Sequence, residues 1–82
     1  MTYQLKLFAV LKERVGSDVW LYQGPATGLK GSELLQAFFQ AHPQLDGLRK
    51  VTRLAVNQAF CTEDPVLSPG DELALIPPVS GG

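Results

Sequence analysis

Cysteine is almost missing from this 82-residue chain, with Cys61 its sole thiol. One thiol excludes an internal disulfide framework and a cysteine zinc cage, and it suits a reducing compartment. Histidine is equally scarce: His42 stands alone, and one histidine without a partner is neither a metal site nor a catalytic dyad. Charge is thin as well, at 18% of residues with a net of −1. That balance argues against nucleic-acid binding, which needs a concentrated basic face, and it leaves room for an apolar patch on the surface. No stretch approaches the ~20 apolar residues of a membrane span. Met1 to Val10 alternates polar with apolar side chains and lacks the continuous run of a signal peptide. A cytoplasmic protein without nucleic-acid, membrane or metal partners is expected.

A hydrophobic content of 45% in 82 residues supports one core and leaves no room for a second. Tyr3 to Phe8 alternates, with Tyr3, Leu5 and Leu7 opposed to Gln4, Lys6 and Phe8, as in a half-buried strand. Leu11 and Val15 then sit four apart before Gly16, which predicts one helical turn. Alternation resumes over Val19 to Gln23, giving a second strand after a turn at Gly16-Ser17-Asp18. Gly24 to Gly28 reads as a loop. The main helix is predicted over Gly31 to Ala41, with Leu34, Leu35, Phe38, Phe39 and Ala41 as its apolar stripe, Glu33 in its first turn and Pro43 stopping it. Gln44 to Lys50 predicts a further turn with Leu45 and Leu48 inward, and Thr52 to Val56 a third strand. A two-residue turn at Asn57-Gln58 leads to a short strand, Ala59 to Thr62. Glu63 to Asp71 reads as irregular, and Glu72 to Ile76 as the last strand. This order predicts an α+β fold with one helix across a mixed sheet of about five strands. A β-grasp (ubiquitin-like) roll fits, with the first and last strands parallel at the centre, although spacing alone does not separate it from other small α+β folds.

The sequence closes on Ile76-Pro77-Pro78-Val79-Ser80-Gly81-Gly82. Two consecutive prolines donate no backbone hydrogen bond and cannot continue a central strand, so residues 1–76 are expected as the folded body and 77–82 as an extended tail. Two glycines at the tip let the backbone enter a narrow space, and Gly82 offers an unhindered carboxylate.

Leu7-Phe8-Ala9-Val10-Leu11-Lys12-Glu13, Ala55-Val56-Asn57 and the run from Gly70 through Gly82 together resemble the small subunit of molybdopterin synthase, in order, spacing and length. The terminal Gly-Gly is shared with ubiquitin-like modifiers and other sulfur carriers, whereas Ile-Pro-Pro-Val-Ser-Gly-Gly combined with Leu-Phe-Ala is more specific. Lys12 stands where this family usually has arginine, which keeps the charge and loses the planar fork. The resemblance implies a β-grasp fold and a sulfur-carrying role. A ubiquitin-activating-type enzyme adenylates the Gly82 carboxylate with ATP, a sulfur donor converts it to a thiocarboxylate, and the loaded tail enters the large synthase subunit. There the sulfur passes to a cyclic pyranopterin precursor and builds the molybdopterin dithiolene. It also implies a heterotetramer of two small and two large subunits, no permanently bound cofactor, and no complete active site in this chain. Alternatives that share the tail are a ubiquitin-like protein modifier and a carrier for thiamine thiazole synthesis.

Side-chain parity adds a docking surface. If Leu5, Leu7, Leu73 and Leu75 face the helix, then Phe8, Ala74 and Ile76 face away, and a two-residue turn at Asn57-Gln58 sets Ala59 inward and Phe60 outward. Phe8, Phe60 and Ile76 are therefore expected to form a partner-binding apolar patch, continued by Pro77, Pro78, Val79 and Ser80 towards Gly81 and Gly82. Lys6 and Lys12 are rim candidates. Cys61 is expected as a packed thiol, and His42 as a helix-end residue. Trp20 and Tyr22 are expected packed or half-exposed, and Glu63, Asp64, Asp71 and Glu72 as solvated loop charges.

Overall fold

Period-two alternation builds the first strand: β1 (Thr2–Leu7) buries Tyr3, Leu5 and Leu7 and exposes Thr2, Gln4 and Lys6. The structure is a computed structural model and describes residues 1–61 and 63–77. The expected single turn after β1 is a seven-residue helix, α1 (Ala9–Val15), which buries Leu11. Gly16 ends it at φ 84°, in the left-handed region that glycine enters without a Cβ clash, and its N–H reaches the Lys12 carbonyl at 2.9 Å. Strand β2 (Val19–Gln23) returns antiparallel to β1, and Trp20 packs edge-on against Phe38 at 5.3 Å.

The main helix, α2 (Gly31–Ala41), has the expected bounds and buries Leu34, Phe38 and Phe39. Ala41, expected on the apolar stripe, is exposed at its last turn. The start of α2 is capped from a distance. Lys30 occupies the N-cap position, and lysine has no acceptor with which to satisfy the helix's first N–H groups. Asp64 does so instead: its Oδ1 accepts the Ser32 N–H at 2.8 Å and its Oδ2 accepts the Ser32 hydroxyl at 2.6 Å. The Lys30 N–H donates to Glu33 Oε1 at 2.9 Å, and the Gly31 N–H to the Pro65 carbonyl at 2.8 Å. A Cβ on Gly31 would lie 2.9 Å from Leu54 Cδ2 and 3.2 Å from Pro65 Cδ, so a larger residue here would have to displace the Leu54 methyl and press on Pro65.

A 3-10 turn over Pro43–Leu48 buries Leu45, with Leu48 half-buried as expected. His42 does sit at the helix end, its Nδ1 2.9 Å from the Phe38 carbonyl and its ring 4.5 Å from that of Phe38. Strand β4 (Arg53–Val56) turns through Asn57 and Gln58, at φ 51° and 70°, into β5 (Ala59–Phe60). Positive φ at both central residues is the signature of the tight hairpin turn that matches strand twist. Strand β5 stops at Phe60, earlier than expected, and Thr62 lies outside the described residues. The Glu63 to Asp71 segment is not wholly irregular, because β6 (Val66–Leu67) pairs antiparallel with β3 (Leu29–Lys30) and buries Leu29 against Leu67.

Strand β7 (Leu73–Ile76) completes a five-stranded sheet of order β2-β1-β7-β4-β5. It runs parallel to β1 and antiparallel to β4, with the first and last strands adjacent at the centre. This mixed sheet with one helix across it is the β-grasp arrangement. One continuous core joins Tyr3, Leu5, Leu7, Leu54, Leu73 and Leu75 of the sheet to Leu34, Phe38 and Phe39 of α2.

The Asp64 cap makes a prediction about acid. The Ser32 hydroxyl and then the Ser32 N–H hold the Asp64 carboxyl below its usual range. A carboxylate with a depressed folded-state pKa adds stability that is present above its unfolded value and lost as pH falls through the folded one. Asp64→Ala should therefore lower the thermal midpoint at pH 7, by an amount that shrinks as pH falls below the usual carboxylate range, as followed by circular dichroism.

Candidate functional site

The face of the sheet turned away from α2 is built by register. Lys6 lies beside Ala74, Ala74 beside Ala55, and Ala55 beside Phe60, forming one row across β1, β7, β4 and β5. On the next outward-facing row Ile76 pairs with Arg53, and Phe8 follows Leu7, the last residue of β1. Two alanines in mid-row leave a hollow of about 260 Å³, walled by Phe8, Phe60 and Ile76 and edged by Lys6, Gln58 and Glu72. Phe8 is 45% exposed and Phe60 54%, while Ile76 is half-buried. The three side chains expected on one patch are thus brought together.

The alanine floor is the part that sequence reasoning undervalued. Ala55 and Ala74 each sit among larger apolar residues in their strands, and an outward-facing alanine opposite another is the signal that a dip lies between taller neighbours. Ala59 points towards the helix side as expected from its pairing with Val56, yet it is exposed because β5 lies at the sheet edge.

Polar groups fix one rim. Lys6 Nζ lies 3.1 Å from Glu72 Oε1, and Gln58 Nε2 donates to Glu72 Oε2 at 3.4 Å. The Lys6 hydrogen bond, then its charge, and then Gln58 hold the Glu72 carboxyl below its usual range. Both partners are well exposed, at 51% and 42% of their side chains, so the pair orders the rim more than it stabilises the fold. The Arg53 guanidinium lies 5.2 Å from the centroid of the Phe60 ring, a cation–π contact that restrains this wall of the hollow. Lys12 is exposed on α1 and lines a neighbouring hollow with Lys6 and Phe8.

Of the four acidic residues, Glu63, Asp64 and Glu72 are exposed as expected and Asp71 is half-buried, and three of them also hold local structure. Asp64 caps α2, Asp71 Oδ2 accepts the Ser68 N–H at 2.8 Å, and Glu72 belongs to the rim. Cys61 is half-buried against the core and lines a cleft of about 460 Å³ with Lys50, Arg53 and Asp64. Among the described residues no cluster of histidine, cysteine and carboxylates is arranged to hold a metal ion. No helix among them is long and apolar enough to cross a membrane.

Pro77 directly follows β7 and is buried. Pro78, Val79, Ser80, Gly81 and Gly82, all singled out from the sequence, lie outside the described residues. The sequence model of the ThiS family matches residues 5–82, from mid-β1 through both terminal glycines. The chain belongs to the ThiS family. Among ThiS-like relatives, it is 34% identical to the molybdopterin synthase sulfur carrier subunit of Dictyostelium discoideum, over 98% of this chain and 95% of that one. The crystal structure of SAMP1 from Haloferax volcanii, a small archaeal modifier protein, matches this ThiS-family fold with a TM-score of 0.79 at 30% identity, covering 100% of both chains. A protein–protein complex of subunits 1 and 2 of the molybdopterin-converting factor from Helicobacter pylori contains a chain of the same fold, with a TM-score of 0.70 at 24% identity and 100% of both chains covered.

Proposed function

We propose that this ThiS-family chain is the sulfur carrier of a molybdopterin synthase. The observation that carries the reading is the placement of β7: it lies at the sheet centre and flanks the Phe8–Phe60–Ile76 hollow, and in sequence it is followed by Pro77-Pro78-Val79-Ser80-Gly81-Gly82. Likeness over nearly the whole length to the Dictyostelium sulfur carrier subunit supports it. A large synthase subunit docks on the hollow and receives the tail. Pro78 to Gly82 is five residues, which reach at most about 18 Å when extended; the acceptor site must therefore open within that distance of the docking face.

The chemistry follows from the terminus. A carboxylate is a poor electrophile because oxide is a poor leaving group. Transfer of the AMP moiety from ATP to the Gly82 carboxylate, with release of pyrophosphate, provides a good one. A persulfide-class donor attacks the acyl carbon and expels AMP, and reductive cleavage of the resulting acyl disulfide by a thiol leaves the thiocarboxylate. Its soft sulfur attacks the cyclic pyranopterin precursor to give a thioester, water then cleaves the acyl–sulfur bond and returns the Gly82 carboxylate, and two loaded carriers supply the two dithiolene sulfurs. The adenylating enzyme, the two-plus-two assembly with the large subunit and a cytoplasmic location are parts of the same proposal.

The test is reconstitution. Loaded chain, large subunit and precursor should yield the dithiolene, and absence of product with demonstrably loaded chain would sink the assignment. Phe60→Asp should weaken binding to the large subunit by roughly 30-fold or more, the scale of a buried aromatic anchor, with circular dichroism unchanged. The SAMP1 likeness favours a second reading as a protein modifier; it predicts isopeptide conjugates on target lysines in place of dithiolene.

A further inference from the structure

Strand β2 forms one edge of the five-stranded sheet, and its backbone alternates in a way the hydrogen bonds fix. The Leu7 N–H reaches the Asp18 carbonyl at 2.9 Å, and the Gly24 N–H reaches the Met1 carbonyl at 2.9 Å. Asp18 and Gly24, at either end of β2, therefore direct their backbone groups towards β1. By the antiparallel rule, so do Trp20 and Tyr22 between them. Val19, Leu21 and Gln23 direct theirs outward, where no described strand lies. The Ser17 hydroxyl corroborates this at one position: it bonds the Val19 carbonyl at 2.9 Å and the Val19 N–H at 3.3 Å.

Apart from the Ser17 hydroxyl at Val19, this edge lacks the devices that usually blunt one. Val19 to Gln23 contains no charge, no proline and no glycine, and Leu21 is 58% exposed. It is also self-complementary about Leu21. Antiparallel pairing of two copies with Leu21 opposite Leu21 sets Val19 opposite Gln23, so the outward-facing residues of each copy meet the outward-facing residues of the other. Trp20 then falls opposite Tyr22 at the close, non-hydrogen-bonded positions. These rings are already stacked within one copy at 5.7 Å, and pairing extends the stack across the junction. Asp18 falls opposite Gly24, so no like charges meet.

We propose that two copies of this chain pair through β2, in antiparallel register centred on Leu21, to form one continuous sheet. The occupant of this edge is the same chain because the register that satisfies its outward groups is symmetric and uncharged. At Val19 the partner's Gln23 displaces the Ser17 hydroxyl, which acts in the lone chain as a guard on the edge. The hollow between Phe8, Phe60 and Ile76 lies on β1, β7, β4 and β5 and stays open, so the pairing does not rest on the proposed sulfur-carrier role.

Sedimentation of the full chain over a concentration series is the test. A monomer–dimer equilibrium is expected, weakened roughly tenfold or more by Leu21→Lys, which places like charges directly opposite, and tightened by Ser17→Ala, which removes the competing hydroxyl. Phe60→Asp should leave it unchanged. Amide exchange supplies the register: protection of Val19, Leu21 and Gln23 should rise with concentration while that of Trp20 and Tyr22 does not. A monomer at every concentration, a dimer indifferent to Leu21→Lys, or one abolished by Phe60→Asp would overturn the proposal.

Discussion

Deletion of Gly82 should abolish sulfur loading while leaving the folded sheet intact. The new terminus, Gly81, is chemically the same kind of carboxylate, so the loss would come from position. One residue fewer withdraws the reacting carbon by about 3.5 Å, and a displacement of even about 1 Å costs roughly a hundredfold in a site that depends on near-attack geometry. Adding one alanine after Gly82 should be equally damaging, because the carboxylate moves and a Cβ then crowds the carbon under attack. Neither change removes a residue of the core built from β1, β4, β7 and α2, so the thermal midpoint should stay within about 4 °C of the parent. Loading is read by intact mass and folding by circular dichroism. A truncated chain that still loads would place the reactive carboxylate's requirements elsewhere.

Leu75→Ala is expected to be the most damaging single change to the fold. Leu75 is fully buried, and its backbone lies between Leu7 of β1 and Leu54 of β4. Truncation leaves a cavity that a central strand, pinned on both sides, cannot collapse to fill. A loss of about 2–5 kcal/mol is expected, a large share of the roughly 4–12 kcal/mol available to a domain of this size. Its neighbour Ile76 points to the other face and is half-buried. Ile76→Ala should cost the fold roughly 1 kcal/mol or less while weakening large-subunit binding. Adjacent residues with opposite phenotypes would follow from strand parity alone; equal destabilisation by both would contradict the orientation of β7.

Much of this was legible because the signals were local and periodic. Tyr3, Leu5 and Leu7 alternate without interruption, and Pro43 bounds a helix whose stripe contains Leu34, Phe38 and Phe39. The apolar patch of Phe8, Phe60 and Ile76 followed from parity once the Asn57-Gln58 turn fixed which way Phe60 points. What escaped depended on partners far along the chain. Strands β3 and β6 are two residues each and gain their meaning only from Leu29 meeting Leu67. Asp64 looks like any loop carboxylate until the fold brings it to Ser32, where it replaces the cap that Lys30 cannot supply. Ala55 and Ala74 carry no chemistry of their own, and their importance is the space they leave between Phe60 and Lys6.

The sulfur-carrier account turns on the fate of one carboxylate. The chain should be incubated with an adenylating enzyme of the ubiquitin-activating type, ATP, a persulfide sulfur donor and a reducing thiol, then measured by intact and fragment mass spectrometry. Replacement of one oxygen by sulfur, confined to Gly82 and dependent on ATP, is the predicted result. A chain that is adenylated but never acquires sulfur, and instead appears joined through Gly82 to lysines of other proteins, would contradict it.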